Sequence, residues 1–120
     1  DNKVFSLNPD FFSYSVSKSG LLAATKMMAM AFQPSLRVCA IAPGITLPSG
    51  KQSEQDFERV HKYNLLKRGV CIDDIAQAAL FILSSDYATG GVITLDGGQG
   101  LQRLARDVAF LATDNKEEQG

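Results

Sequence analysis

Two short apolar runs constrain the fold more than any other feature. Residues 36–42, "LRVCAIA", and residues 92–95, "VITL", are almost unbroken by polar side chains and carry several β-branched residues. A strand with one wet face alternates apolar and polar positions. These runs do not alternate, so they read as strands covered on both faces, as in parallel sheets. Parallel neighbours need a crossover connection, usually a helix. Residues 73–85, "DDIAQAALFILSS", supply one. Asp73 or Asp74 can cap it, and Ile75, Ala78, Ala79, Ile82 and Leu83 form its apolar stripe. A longer helix, residues 12–32, precedes the first strand and ends before Pro34. Gly20, Ala23 and Ala24 give it a small-residue side suited to helix packing. Met27, Met28 and Met30 read as core or interface filling. Helix, strand, helix, strand is a βαβ crossover with one helix in front. Both sheet edges still want neighbours. The fold class is therefore α/β: the C-terminal part of a doubly wound Rossmann-type parallel sheet.

The rest of the chain connects these elements. Residues 1–11 are loop-like, with Asn8-Pro9-Asp10 as a turn signal. Residues 53–64 suggest a short surface helix, and Thr89-Gly90-Gly91 a turn. Residues 113–120 are polar and are expected to fray. Residues 1–120 read as part of one domain, without internal repeat or linker.

Charge and composition exclude several functions. A net charge of -1 provides no basic footprint for nucleic acid. No run approaches the roughly 20 apolar residues that span a bilayer, and no signal-peptide pattern is present. A cytoplasmic protein without nucleic-acid or membrane partners is expected. Cys39 and Cys71 have no metal-like spacing; they read as reduced thiols, Cys39 inside a buried strand, with a disulfide as the alternative. His61, the one histidine, is flanked by charges and reads as a solvated surface residue. The first residue is Asp1 rather than Met, which suggests processing or a piece of something longer.

The candidate chemistry starts at "SYSVSKSGL", where Tyr14 precedes Lys18 by one helical turn. Positions i and i+4 share a helix face. A nearby ammonium favours the phenolate form of a tyrosine, whose unperturbed pKa is about 10, and so eases proton exchange near neutral pH. The spacing alone is weak evidence, because Tyr63 and Lys67 repeat it in a polar segment. Its surroundings add to it. The helix leads into a strand ending in Pro43-Gly44, and strand ends at the carboxyl edge of such sheets are where ligands bind.

This ordered set, Y-x-x-S-K on a long helix, a strand ending in P-G, a helix, and a last strand ending in D-G-G, resembles the C-terminal half of the short-chain dehydrogenase/reductases. The resemblance runs from Asp1 to about Gly98. It implies that Tyr14 is the general acid/base. Lys18 would assist it and hydrogen-bond the nicotinamide ribose. Pro43, Gly44, Ile45 and Thr46 would line the nicotinamide end of the cofactor. The family often carries its Thr later after P-G, where this chain has Pro48. A third catalytic group, usually Ser, is expected thirteen residues before the Tyr; that position is Asp1. Asp in this place resembles the pteridine reductases, as do "LNPDFFSYSVSK" and "APGITLPS". There Asp1 would relay a proton to a pteridine nitrogen or hold the substrate; taken by itself, it is a solvated loop carboxylate.

The implied function is NAD(P)(H)-dependent hydride transfer to or from a carbonyl or pteridine-type small molecule, with Tyr14 as proton donor or acceptor. The pteridine branch favours NADP(H) over NAD(H). Family members are often homo-oligomers through the long helix and the region after D-G-G. The N-terminal dinucleotide-binding half is absent from these residues: "LDGGQG" follows a strand, but the third glycine of G-x-G-x-x-G would fall at Arg103. Alone, the chain should expose apolar surface and sheet edge. The alternative is a non-catalytic or split-enzyme fragment acting as an interaction or assembly module.

Overall fold

The structure is a computed structural model that describes residues 1–50 and 52–114. A 3₁₀ turn, Asn2–Phe5, opens the chain. It is followed by helix α1 (Phe12–Ala31), strand β1 (Ala40–Pro43), helices α2 (Glu54–His61) and α3 (Ile72–Ser84), and strand β2 (Val92–Leu95). A second 3₁₀ turn, Gln99–Leu101, leads to helix α4 (Val108–Asp114). The two strands are parallel, with Ala40 opposite Val92 and Pro43 opposite Leu95. Helix α3 packs on both strands and completes the expected βαβ crossover.

Strand β1 is shorter than the apolar run that announces it. Only residues 40–43 enter the ladder, although the Gly90 amide still donates to the Val38 carbonyl at 2.7 Å. Burial on both faces holds at Ala42, 3% exposed, and fails at Leu36, 60% exposed. A strand paired on one side only cannot cover the whole run. Cys39 precedes the strand, half-buried, with its Sγ 3.2 Å from the Ala88 carbonyl. Both cysteines are free thiols.

Helix α3 starts one residue earlier than its charge pattern suggests. Cys71 is the N-cap and makes no side-chain cap, so neither Asp73 nor Asp74 caps the helix. Both lie in its first turn, where the helix dipole favours carboxylates. Arg37 closes the other end, donating to the carbonyls of Ile82 (2.8 Å), Leu83 (3.3 Å) and Ala88 (3.1 Å). The Ile82 and Leu83 carbonyls are among those that a helix terminus leaves unpaired. The apolar stripe holds at Ala78, which is buried, and departs at Leu83, which is exposed.

Helix α1 buries Ser15, Thr25 and Ala29. Met27 and Met30 are exposed, and a Cβ placed on Gly20 would meet nothing within 4 Å. The small-residue side therefore has no helix packed against it among the described residues. Helix α2 is capped by Ser53, whose Oγ accepts from the Asp56 amide at 3.1 Å. His61, at its end, is half-buried rather than fully solvated as expected. It stacks on Phe57 at 4.6 Å between centroids, with Nε2 3.1 Å from the Val70 carbonyl. A small core of Val60 and Val108, with Ile45, Tyr63 and Leu104 against it, joins α2 to α4. Helix α4 takes in the start of the segment expected to fray; residues 115–120 lie outside the described residues. No described helix is long and apolar enough to cross a membrane.

Candidate active site

Because β1 and β2 are parallel, both deliver their carboxyl ends to one edge of the sheet. Pro43-Gly44 follows β1, and Asp96-Gly97-Gly98 follows β2. Asp96 is buried, and its carboxylate accepts from the amides of Gly98 (2.9 Å) and Gly100 (2.6 Å) and from Asn2 Nδ2 (3.3 Å). The turn it closes needs Gly97 at φ 61°, a left-handed conformation that costs a residue with a Cβ. Such a Cβ would also sit 2.4 Å from Asn64 Oδ1. The D-G-G sequence thus does two things. It folds the chain back at the strand end, and through Asn2 it anchors the opening 3₁₀ turn beside the same edge.

That anchoring positions Asp1. Its Oδ1 accepts from the Lys3 amide at 2.8 Å, capping the 3₁₀ turn, and its Oδ2 accepts from the Tyr14 hydroxyl. One helical turn on, Lys18 Nζ lies 5.5 Å from the centre of the Tyr14 ring. The ammonium sits over the aromatic face, a cation–π contact. Tyr63 and Lys67 make a similar contact at 5.8 Å. What separates the pairs is their setting: Tyr63 packs against the Val60–Val108 core, whereas Tyr14 meets a carboxylate at a cavity.

The cavity has a volume of about 450 Å³ and lies at the carboxyl edge of the sheet. Asp1, Tyr14, Gly44 and Ile45 line it, together with Phe11, Gln99 and Leu104. Of the residues singled out in the sequence, Lys18, Pro43 and Thr46 stand outside this lining. Lys18 touches Tyr14 instead. Pro43 closes the strand ladder, with the next amide, Gly44, donating to Leu95 at 2.9 Å. Thr46 Oγ1 donates to the Gly44 carbonyl at 3.0 Å and braces the loop.

Sequence reasoning missed a second polar group on the same cavity. Lys3 is buried, with Nζ 2.5 Å from Asp107 Oδ2 and 3.0 Å from Asn8 Oδ1. The same ammonium lies 5.2 Å from the centre of the Phe11 ring. Nearby, Asp10 accepts from Arg106 Nε and from the Asp107 amide, each at 2.8 Å. The Arg106 hydrogen bond, then that amide, hold the Asp10 carboxyl below its usual range. Lys3 and Asp107 are 104 residues apart, so no local pattern could have paired them.

Comparison with known proteins decides the family. A family model described as enoyl-(acyl carrier protein) reductase matches residues 4–99. A short-chain dehydrogenase/reductase homolog of Bacillus subtilis, YusR, is 33% identical over 73% of this chain and 69% of its own length. The chain belongs to the short-chain dehydrogenase/reductase family. Among solved structures of similar proteins, that of FolM alternative dihydrofolate reductase 1 from Brucella suis in complex with NADP is 43% identical. It superposes with a TM-score of 0.82 over 87% of this chain and 42% of that one. The granaticin polyketide synthase putative ketoacyl reductase 2 of Streptomyces violaceoruber is 35% identical over 73% of this chain. The match spans 37% of that reductase's length, and 36% and 40% of two further curated relatives. This short-chain dehydrogenase/reductase chain thus has the Rossmann-type α/β fold of its relatives, and an oxidoreductase ancestry.

Proposed function

We propose that this chain carries the proton-transfer side of an NADP(H)-dependent reductase acting on a carbonyl or pteridine-type substrate. The observation that carries this reading is the Tyr14–Asp1 hydrogen bond at a cavity on the carboxyl edge of a parallel sheet. Similar solved structures include complexes with NADP and NADPH, which favours NADP(H) over NAD(H) here.

The residues present fit the nicotinamide end of such a cofactor. Gly44 and Ile45 line the cavity without charge, and Thr46 Oγ1, which already donates to Gly44, keeps lone pairs for a carboxamide N–H. Pro43 ends the strand that positions them. Lys18, one turn beyond Tyr14, would hold a ribose hydroxyl. When bound, the nicotinamide supplies or accepts the hydride.

The chain's own residues manage the proton. Tyr14 exchanges its hydrogen bond to Asp1 for one to the substrate oxygen or nitrogen and gives up its proton there. The Lys18 ammonium stabilises the phenolate left behind. Asp1, held by the Lys3 amide, orients the hydroxyl and passes a replacement proton from water. Where the substrate is a pteridine, Asp1 also faces its ring nitrogen. Exposed Met27 and Met30 on α1 support a homo-oligomer formed through that helix, and a cytoplasmic setting goes with this reading.

The test is Tyr14→Phe in the natural protein, assayed by NADPH oxidation against ketone and dihydropteridine panels. Turnover should fall by about 10²- to 10⁴-fold with NADPH binding retained. Undiminished turnover would remove Tyr14 from the reaction. Wild-type protein that binds NADPH and turns over nothing would favour the non-catalytic alternative.

A further inference from the structure

Binding cavities fix their ligand's orientation with a small number of placed polar groups. Lys3 and Asp107 have the features of such a pair. Both line the cavity that holds Tyr14 and Asp1. The Lys3 side chain is 8% exposed and that of Asp107 17%, so the pair is largely withdrawn from water. Burying an ion pair is a costly way to fasten two segments, since apolar residues of the same size often stabilise as well. Its placement on a cavity therefore calls for an explanation beyond stability.

The bonding inventory supplies one. An ammonium has three donors, and Asn8 and Asp107 take two of the three on Lys3. The Asp107 carboxylate has about four acceptor positions, of which Lys3 and the Ala109 amide use two. One side of the cavity thus offers a donor beside an acceptor, both charged. Asp1 ties this pair to the reaction end, because its carboxylate bridges the Lys3 amide and the Tyr14 hydroxyl.

We propose that Lys3 and Asp107 together bind the polar edge of the substrate. The class they fit is a planar heterocycle that presents a C=O acceptor next to N–H donors, as the 2-amino-4-oxopyrimidine ring of a pterin does. Lys3 donates to the ring carbonyl, and Asp107 accepts from the ring N–H and the 2-amino group. The opposite end of the heterocycle then faces Tyr14 and Asp1. This assignment rests on the pteridine form of the function proposed above and names the residues that select it.

The experiment is a fluorescence titration of the natural protein, saturated with NADP⁺, with pterin and with lumazine, which replaces the 2-amino group by oxygen. Lys3→Met should raise the dissociation constant of both ligands by about tenfold or more, as expected for losing a charged hydrogen bond. Asp107→Asn should weaken pterin by a similar factor while changing lumazine less than threefold. NADPH affinity should stay the same in both variants. Equal losses of pterin and lumazine in Asp107→Asn, tracking a fall in melting temperature, would reduce the pair to a structural fastening and overturn the proposal. Failure of wild-type protein to bind pterin would also overturn it, while leaving the reductase reading to stand or fall on Tyr14→Phe.

Discussion

The two ends of this chain's architecture are built differently. At the carboxyl edge of the sheet, polar contacts join segments far apart in sequence: Asn2 to Asp96, Lys3 to Asp107, Asp10 to Arg106 and Ser6 to Gln102. On the helix layer, large apolar side chains face outward: Leu83 is 75% exposed, Phe12 75% and Met30 72%. The first region is tied together within the chain: the buried Asn2, Lys3 and Asp96 side chains all find partners there, and Gln102 Oε1 is the buried atom left without one. The second has apolar faces that nothing among the described residues covers. Site geometry and part of the fold's stability thus rest on the polar edge, while the exposed apolar faces lie on the helix layer. The cavity is defined by hydrogen bonds made inside this chain, whereas the helix layer presents apolar side chains that no described residue covers.

This contrast can be broken at several points. Asp96→Ala should have the largest effect on stability, about 3 kcal/mol in a urea titration, because it leaves two backbone N–H groups and Asn2 without their acceptor. It should also release Asp1, so activity should fall beyond the loss of folded protein. Gly97→Ala should cost about 2 kcal/mol, from the left-handed φ and the displacement of Asn64. On the other side, Leu83→Gln in the natural protein should cost up to about 2 kcal/mol, if the helix layer is covered there. A change under about 0.5 kcal/mol is the mark of a solvent-facing side chain and would erase the contrast.

The smallest effect is in the pH dependence. Asp10 titrates below its ordinary value of 3.8 in the folded protein, chiefly through Arg106. A carboxyl with a depressed folded value stabilises the fold above its unfolded value, and this contribution disappears as pH falls through the folded value. Asp10→Asn should therefore lower the melting temperature slightly at neutral pH and flatten the acid limb below about pH 4. An unchanged acid limb would detach the Asp10–Arg106 contact from stability.

The same contrast explains what the sequence could reveal. Elements whose cause is local were legible: α1 and the βαβ crossover follow from apolar runs and helix formers. Tyr14 and Lys18 were legible because four residues on a helix fix a shared face. Their partnership with Asp1 needed the ordered pattern of a family, since a thirteen-residue separation has no local geometry. Lys3 and α4 were not legible. "DNKVF" looks like any polar turn, and its meaning depends on Asp107, which lies 104 residues further along the chain. The extent of β1 was overread because an apolar run reports what a full sheet would cover, and β1 pairs with one strand here. His61 differs from its sequence reading for a related reason: Phe57 and Val70, whose contacts leave it half-buried, are not flanking residues.

The most direct test of the account is a crystal structure of the natural protein with NADP⁺. The account predicts the nicotinamide in the cavity bounded by Gly44, Ile45 and Tyr14, with the Tyr14 hydroxyl and Asp1 facing the place left for substrate. Nicotinamide density anywhere else, with Tyr14 out of its reach, would contradict it.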